Sequence, residues 1–302
     1  MEAAHHGGST EGPAVTPTIT DSHVTEVGGL LVHRALPRHG RRTVGAWCFL
    51  DRFGPEDVTP QRTMTVGPHP HTGLHTVTWL LSGSVVHTDS LGNEQSIRPG
   101  QLNLMTSGQG IAHAEDGRGQ PSGVVDGVQL WLAQPEGTRH GHPSFAHHED
   151  LPAVGLSGAT ATVVIGEFAG APSPARVDWP LLGVDLAGGG ILDIPLESSF
   201  EHAIAVLHGN ARLDGSLASP NQLMYIGAGR AGMRLELAED SRVLLLGGQP
   251  FTEQIVMWWN FVARSRSEIE AARAQWNEDG GRFGSVPSTL DKIEAPRPFW
   301  LP

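Results

Sequence analysis

The chain has 302 residues, of which 39% are apolar, with 39 Gly and 22 Pro and a formal net charge of −12. That length supports two ordinary domains or one large one, and the wealth of turn-forming residues favours an all-β protein. The acidic balance argues against direct nucleic-acid binding through a broad basic face, and no apolar stretch approaches the roughly 18 residues that span a bilayer.

Residues 1–22 are expected to form a mobile tail, because MEAAHHGGSTEGPAVTPTIT has no apolar h-region and no basic run. His5 and His6 are read as solvated members of that tail. Cys48 is the single cysteine, so no intrachain disulfide can form, and a reducing, cytoplasmic location is expected. In GAWCFLD the thiol reads as a small buried hydrophobe rather than a nucleophile.

From about Thr25 to Ala263 the chain reads as short strands broken by turns. Val77–Leu81 and Val85–Val86 are β-rich and separated by Ser82–Gly83; Asp89–Asn93 and Pro99–Gly100 are turns, and Val124–Leu132 resumes a strand. A repeat then appears. Pro99–Gly108 aligns without gaps on Pro220–Gly229, an offset of 121 residues, and Leu80–Gly83 pairs with Val206–Gly209 at 126. Two copies of one β-unit suggest tandem barrels, over residues 23–148 and 152–302.

Beyond the second unit, Ile255–Val262 reads as a last buried strand and Ser267–Glu270 as a capping box. Ile269, Ala272 and Trp276 then mark the apolar face of a short helix that Gly280–Gly281 ends. The aromatic tail Ala295–Pro302 is expected to pack back on the body.

The chemistry concentrates in two segments. In TVGPHPHTGLHTVTWLL, His69 and His71 stand at i and i+2 and so share one face of a strand. Val77 and Trp79 continue that parity, which places the histidines toward a barrel interior with Trp79 shaping the cavity. In GQGIAHAE, His113 and Glu115 share a face in the same way. Three neutral imidazoles and a carboxylate suit Fe(II), Mn, Ni, Cu or Zn and not a soft thiolate site. Four such ligands leave two open positions on an octahedral ion. Carried onto the second unit by the repeat offsets, His69, His71, His113 and Glu115 become Pro195, Glu197, Arg234 and Glu236, so that unit is expected to be metal-free.

VGPHPHTGLHTVTWLLSG, DSLG and IRPGQLNLMTSGQGIAHAE together closely resemble the pirin family of bicupins, as do GAWCFLDRFGP (Gly45 to Pro55) and VMWWNFVARS (Val256 to Ser265). The likeness runs from about residue 24 to the C-terminus. It implies two tandem cupin barrels of jelly-roll type, with one metal ion, normally iron, in the first. The family's ligands fall on His69, His71, His113 and Glu115. One departure stands out: the general cupin pattern HxHx₃E puts a glutamate where this chain has His75. That histidine is read as pocket-lining, with ligation in place of Glu115 as the alternative. His87 reads as a partly exposed residue near Asp89, and His140, His142, His147 and His148 as members of a solvated linker.

Two functions are compatible with such a site. The resemblance implies an oxygenase of quercetinase type, acting on a small aromatic flavonol with O₂ at an Fe(II) centre, with Glu115 as the catalytic base. The alternative is a metal- or redox-dependent regulator that binds a transcription factor or a metabolic enzyme.

Overall fold

The computed structural model describes residues 16–59, 63–117 and 123–301. His5, His6 and the rest of the tail through residue 15 lie outside the described residues. Thr18–Asp21, expected within that tail, instead forms a strand antiparallel to Gln222–Gly227. The β-branched alternation of Thr18, Ile19 and Thr20 suits a strand, and pairing there covers a sheet edge that would otherwise present unpaired backbone groups.

Two jelly-roll type β-units follow in tandem. The first has a seven-stranded sheet, running from Ser144–His148 at one edge to His23–Val27 at the other, and a four-stranded sheet that begins at Thr65–His71. Both sheets line a common cavity. The second unit is organised on two long strands, Leu181–Pro195 and Gly232–Gly248, paired along their length. Gly188–Gly190 is an irregularity within the first of these strands that lets the pair change course. Among the described residues no helix is long and apolar enough to cross a membrane.

The repeat is visible in the hydrogen-bond register. Trp79 lies opposite Leu102 in the first unit, and their repeat equivalents Ala205 and Leu223 lie opposite each other in the second. These strands pack face to face across the two units, in a core that includes Trp47, Val77, Trp79, Leu104, Leu223 and Leu246. Trp79 and Val77 therefore point into the junction between the units and not into the first cavity. The even-numbered side of that strand faces inward, with Leu80 packed beside Phe53 and Val85.

The parity argument fails at Gly73. Its φ of +68° and the 2.3 Å that would separate an added Cβ from the Val262 carbonyl oxygen both demand glycine. The chain turns there from one sheet to the other, so His69 and His71 face inward while His75, Val77 and Trp79 face away.

The offset used for the histidines shifts as well. In the first unit His69 lies opposite His113; opposite Arg234 in the second stands Asp193, not Pro195. Asp193, Arg234 and Glu236 are exposed, and the interior there is filled by Leu192, Ile194, Met233, Leu235 and Leu237.

After the second unit the chain returns to the first. Ile255–Val262 is not one strand but the hairpin Val256–Trp258 and Phe261–Ala263, whose Val262 N–H donates to the Thr72 carbonyl at 3.0 Å. The helix Arg266–Asn277 buries Ile269, Ala272 and Trp276 as the spacing predicts, but its N-cap is Ser265. The same S-x-x-E spacing occurs twice, two residues apart. Glu268 closes the box with Ser265 while Arg139 also holds its carboxylate, and Glu270 is taken by the Trp300 indole. The tail then runs along the strand Thr65–His71, where the Ile293 N–H donates to the Pro68 carbonyl at 2.9 Å.

Candidate metal centre

The strand Thr65–His71 contains Pro68 and Pro70, which lack the N–H that a central strand must donate. It accordingly lies at the edge of its sheet and pairs only with Ile111–Asp116. In that antiparallel ladder His69 is directly opposite His113, and His71 is opposite Ile111, one step along the same face. Three imidazoles therefore converge from two strands. Their ring centroids are 4.3 to 5.1 Å apart, and one nitrogen from each lies within 4.8 Å of the others. All three are buried.

Hydrogen bonds decide which nitrogens meet. His69 Nδ1 donates to the Gly67 carbonyl at 2.9 Å, and His71 Nδ1 donates to the Asn260 carbonyl at 3.1 Å. With its proton on Nδ1, His71 turns a lone pair toward His113 Nε2, 3.1 Å away. His113 Nδ1 points the other way, 3.3 Å from His87 Nδ1. Without an ion His113 Nε2–H can donate across that gap; with its proton on Nδ1 instead, two lone pairs face one point that a cation can occupy. Nitrogens at about 2.1 Å from one ion and roughly at right angles would stand about 3 Å apart. The triad can hold a metal ion.

Burial keeps the rings neutral. Desolvation lowers His69 to about 4 and, with repulsion among the histidines, places His71 and His113 well below the ordinary value. Neutral imidazole is the ligand form.

Glu115 lines the same cavity but lies outside the mutual 4.8 Å cluster of the three imidazoles. The register shift there marks a bulge whose extra residue lies in Thr65–His71, since Val66 to His69 spans three steps against two; Glu115 itself stays in register with His87. Burial alone pushes its carboxyl up to about 7. It has no cationic partner among the described residues. A buried carboxyl without a counter-charge, beside three convergent imidazoles, is the electrostatic arrangement that a divalent cation completes.

His75 is placed elsewhere. Its Nδ1 is 2.9 Å from Thr106 Oγ1 and its Nε2 is 3.2 Å from Asp178 Oδ2, at the junction of the two units. His87, read as partly exposed, is buried against His113 and stacked on Phe145. His147 and His148 belong to an edge strand rather than a linker, while His140 and His142 are exposed. Cys48 is buried with its thiol pushed up to about 12 by desolvation, which makes it inert.

The cavity beyond the histidines measures about 400 Å³. Phe49 and Trp131 stack at 3.9 Å along one wall, and Trp131 meets His71 edge to face at 5.2 Å. Arg34 covers the other side of Phe49, its guanidinium clamped by Asp51 through two 2.7 Å bonds. Ile293, Trp259 and Asn260 bring the C-terminal segment into the same lining. Sequence reasoning missed these residues because they lie far from the HxH and HxE motifs in the chain.

Comparison with known proteins agrees with this architecture. The Pirin family model matches residues 29–132, and the model of the pirin C-terminal cupin domain matches residues 181–284. A Pseudomonas aeruginosa protein named "Putative quercetin 2,3-dioxygenase" is 46% identical over 89% of this chain and 85% of its own length. The crystal structure of a quercetin 2,3-dioxygenase from Acinetobacter baumannii superposes with a TM-score of 0.90 at 40% identity, covering 93% of this chain and 95% of that one. A bacterial pirin from Escherichia coli, solved in complex with nickel(II), shares the fold at a TM-score of 0.62 and 18% identity, over 78% of this chain and all of that one. With two cupin units in tandem and a relative this similar over nearly its whole length, the chain belongs to the pirin family.

Proposed function

We propose that this protein binds one divalent ion, Fe(II) in preference to Mn, Ni, Cu or Zn, through His69, His71, His113 and Glu115, and acts as a dioxygenase on flavonol-type substrates. The observation that carries the proposal is the convergence of three imidazole nitrogens and an uncompensated carboxyl at one end of a cavity with an aromatic wall. A cavity of about 400 Å³ is within the range of small-molecule sites. The names of the relatives from Pseudomonas and Acinetobacter support the substrate class.

When bound, the ion supplies Lewis acidity that lowers the pKa of a phenolic hydroxyl. The chain's own residues do the rest. The Phe49–Trp131 stack supplies an aromatic wall against which a fused ring can pack. Arg34, held rigid by Asp51, retains N–H groups for an acceptor oxygen, and Gln129 lines the same wall with its Oε1 taken by the Thr78 hydroxyl. Glu115, which the ion would keep as a carboxylate, lines the same cavity and is suited to take the proton that the substrate hydroxyl releases.

The test is anaerobic reconstitution with Fe(II), followed by quercetin and O₂. Loss of the flavonol absorbance with release of carbon monoxide is expected. Absence of turnover with Fe, Mn, Ni and Cu in fully loaded protein would overturn the oxygenase reading and leave the regulator as the alternative.

A further inference from the structure

His113 differs from the other two histidines in what holds it. His69 and His71 are oriented by main-chain carbonyls, which no side-chain substitution removes. His113 is oriented by a side chain. Its Nδ1 is 3.3 Å from His87 Nδ1, and His87 Nε2 is 3.1 Å from Asp89 Oδ2. Asp89 is fully buried, and His87 is 5% exposed.

The ladder explains why these groups meet. Val85–Asp89 pairs with Ile111–Asp116 so that Asp89 lies opposite His113 and His87 opposite Glu115, all on the inward face. Asp89 is fixed in turn: its Oδ1 accepts the Leu91 and Asn93 N–H groups, and its Oδ2 accepts the Asn93 side-chain amide. Phe145 stacks on His87 at 4.4 Å and 11°, which sets the plane of the imidazole. The relay therefore has a rigid end and a fixed ring.

Proton positions follow by elimination. If His113 offers the Nε2 lone pair to a metal, its proton is on Nδ1 and His87 Nδ1 must accept it. The one remaining proton of a neutral His87 is then on Nε2, aimed at a carboxylate that accepts it. We propose that Asp89 and His87 form a positioning relay that fixes the tautomer and raises the basicity of His113 as a metal ligand. With Glu115 it also sets the charge: a divalent ion, the Glu115 carboxylate and the Asp89 carboxylate sum to zero. Outer partners of this kind typically change metal affinity by about 10- to 100-fold. The relay rests on the proposed metal site, and its failure is separable from failure of that site.

Nickel(II) is the probe, titrated into chelator-stripped full-length protein in competition with a chelating dye. His87→Phe keeps the stacked ring and removes the acceptor; it is expected to weaken Ni(II) binding by about 10- to 100-fold. His87→Asn places an amide oxygen near the position of Nδ1 and is expected to recover most of that loss. In Co(II)-loaded protein, proton NMR should show the paramagnetically shifted Nδ1–H of His113. His87→Phe should abolish or broaden that exchangeable signal and leave those of His69 and His71. If His87→Phe does not fold, the comparison is made on His87→Asn and Asp89→Asn, the latter retaining the turn while losing the charge. Asp89→Asn is then expected to weaken Ni(II) binding and shift only the His113 signal. Wild-type affinity in His87→Phe, or in Asp89→Asn where that variant stands in, overturns the relay. No nickel binding by the wild type would instead overturn the metal site itself.

Discussion

His75 Nε2 lies 3.2 Å from Asp178 Oδ2, so the histidine that stands where a general cupin would supply a glutamate ligand belongs to the junction between the two units. His75 is the main reason, with Gln134 and Thr138, that the Asp178 carboxyl is held well below its ordinary range despite partial burial. His75→Ala is therefore expected to retain its metal in full and to lose about 1–3 kcal/mol of stability through a broken buried contact. Elemental analysis and denaturant unfolding check the two halves. Loss of metal with unchanged stability would show His75 to be a ligand.

The metal-free protein should have a distinctive pH profile. Glu115 is raised from 4.5 to about 7 in the folded state, so the folded chain binds the extra proton and stability falls as pH rises across that window. The shift corresponds to on the order of 3 kcal/mol. His69 acts in the opposite sense: lowered from 6.5 to about 4, it makes stability rise with pH between those values. Glu115→Gln should remove the loss toward pH 7 and leave the acid-side rise. Loading the metal should abolish the Glu115 effect, since the cation stabilises the carboxylate. Thermal unfolding from pH 4 to 8, with and without metal, reads both; identical profiles for Glu115→Gln and wild type would refute the assignment.

Gly73→Ala should damage both fold and site. It combines a left-handed backbone with a Cβ at 2.3 Å from the Val262 carbonyl oxygen, and strain of that kind costs about 1–3 kcal/mol before the clash is relieved. Relief moves the Phe261–Ala263 strand, and with it the Asn260 carbonyl that holds His71. A lowered unfolding midpoint together with weaker nickel affinity is expected. A midpoint change alone would mean that the Asn260 contact is not what orients His71.

The C-terminal segment should matter to a site more than a hundred residues away in sequence. Ending the chain at Gly284 deletes Ile293, whose N–H bonds Pro68 and whose carbonyl takes the Trp276 indole, and it uncovers Gly67 where Asp291 packs closely. Faster metal loss on dialysis against a chelator is expected, with the β-sheet circular dichroism retained. Unchanged metal retention would show that the segment does not support the metal-side strand.

These expectations mark where sequence was legible. Alternation on short strands made His69, His71, His113 and Glu115 readable, because side chains at i and i+2 must share a face. Pro68 and Pro70 suit the edge position that their strand takes, since neither can donate to a second neighbour. The repeat was readable where the ladder is regular, as in Trp79 with Leu102 and Ala205 with Leu223. Parity could not be carried through Gly73, since a positive φ reverses the chain's facing and nothing in Thr72–Gly73 says by how much. That is why Trp79 was expected in the cavity and is found in the junction, bonded to Asp185 at 2.8 Å. Trp131, Arg34 and Ile293 escaped notice for a different reason: they meet the histidines only through pairing of distant strands and the return of the C-terminal segment.

Metal binding by the histidine cluster is tested most directly by elemental analysis of chelator-stripped protein reloaded with Fe(II) or Ni(II) and desalted, compared with His113→Ala. One ion per wild-type chain is expected, and almost none in His113→Ala that has kept its fold. Equal metal in the two proteins, or none in the wild type, would overturn the site.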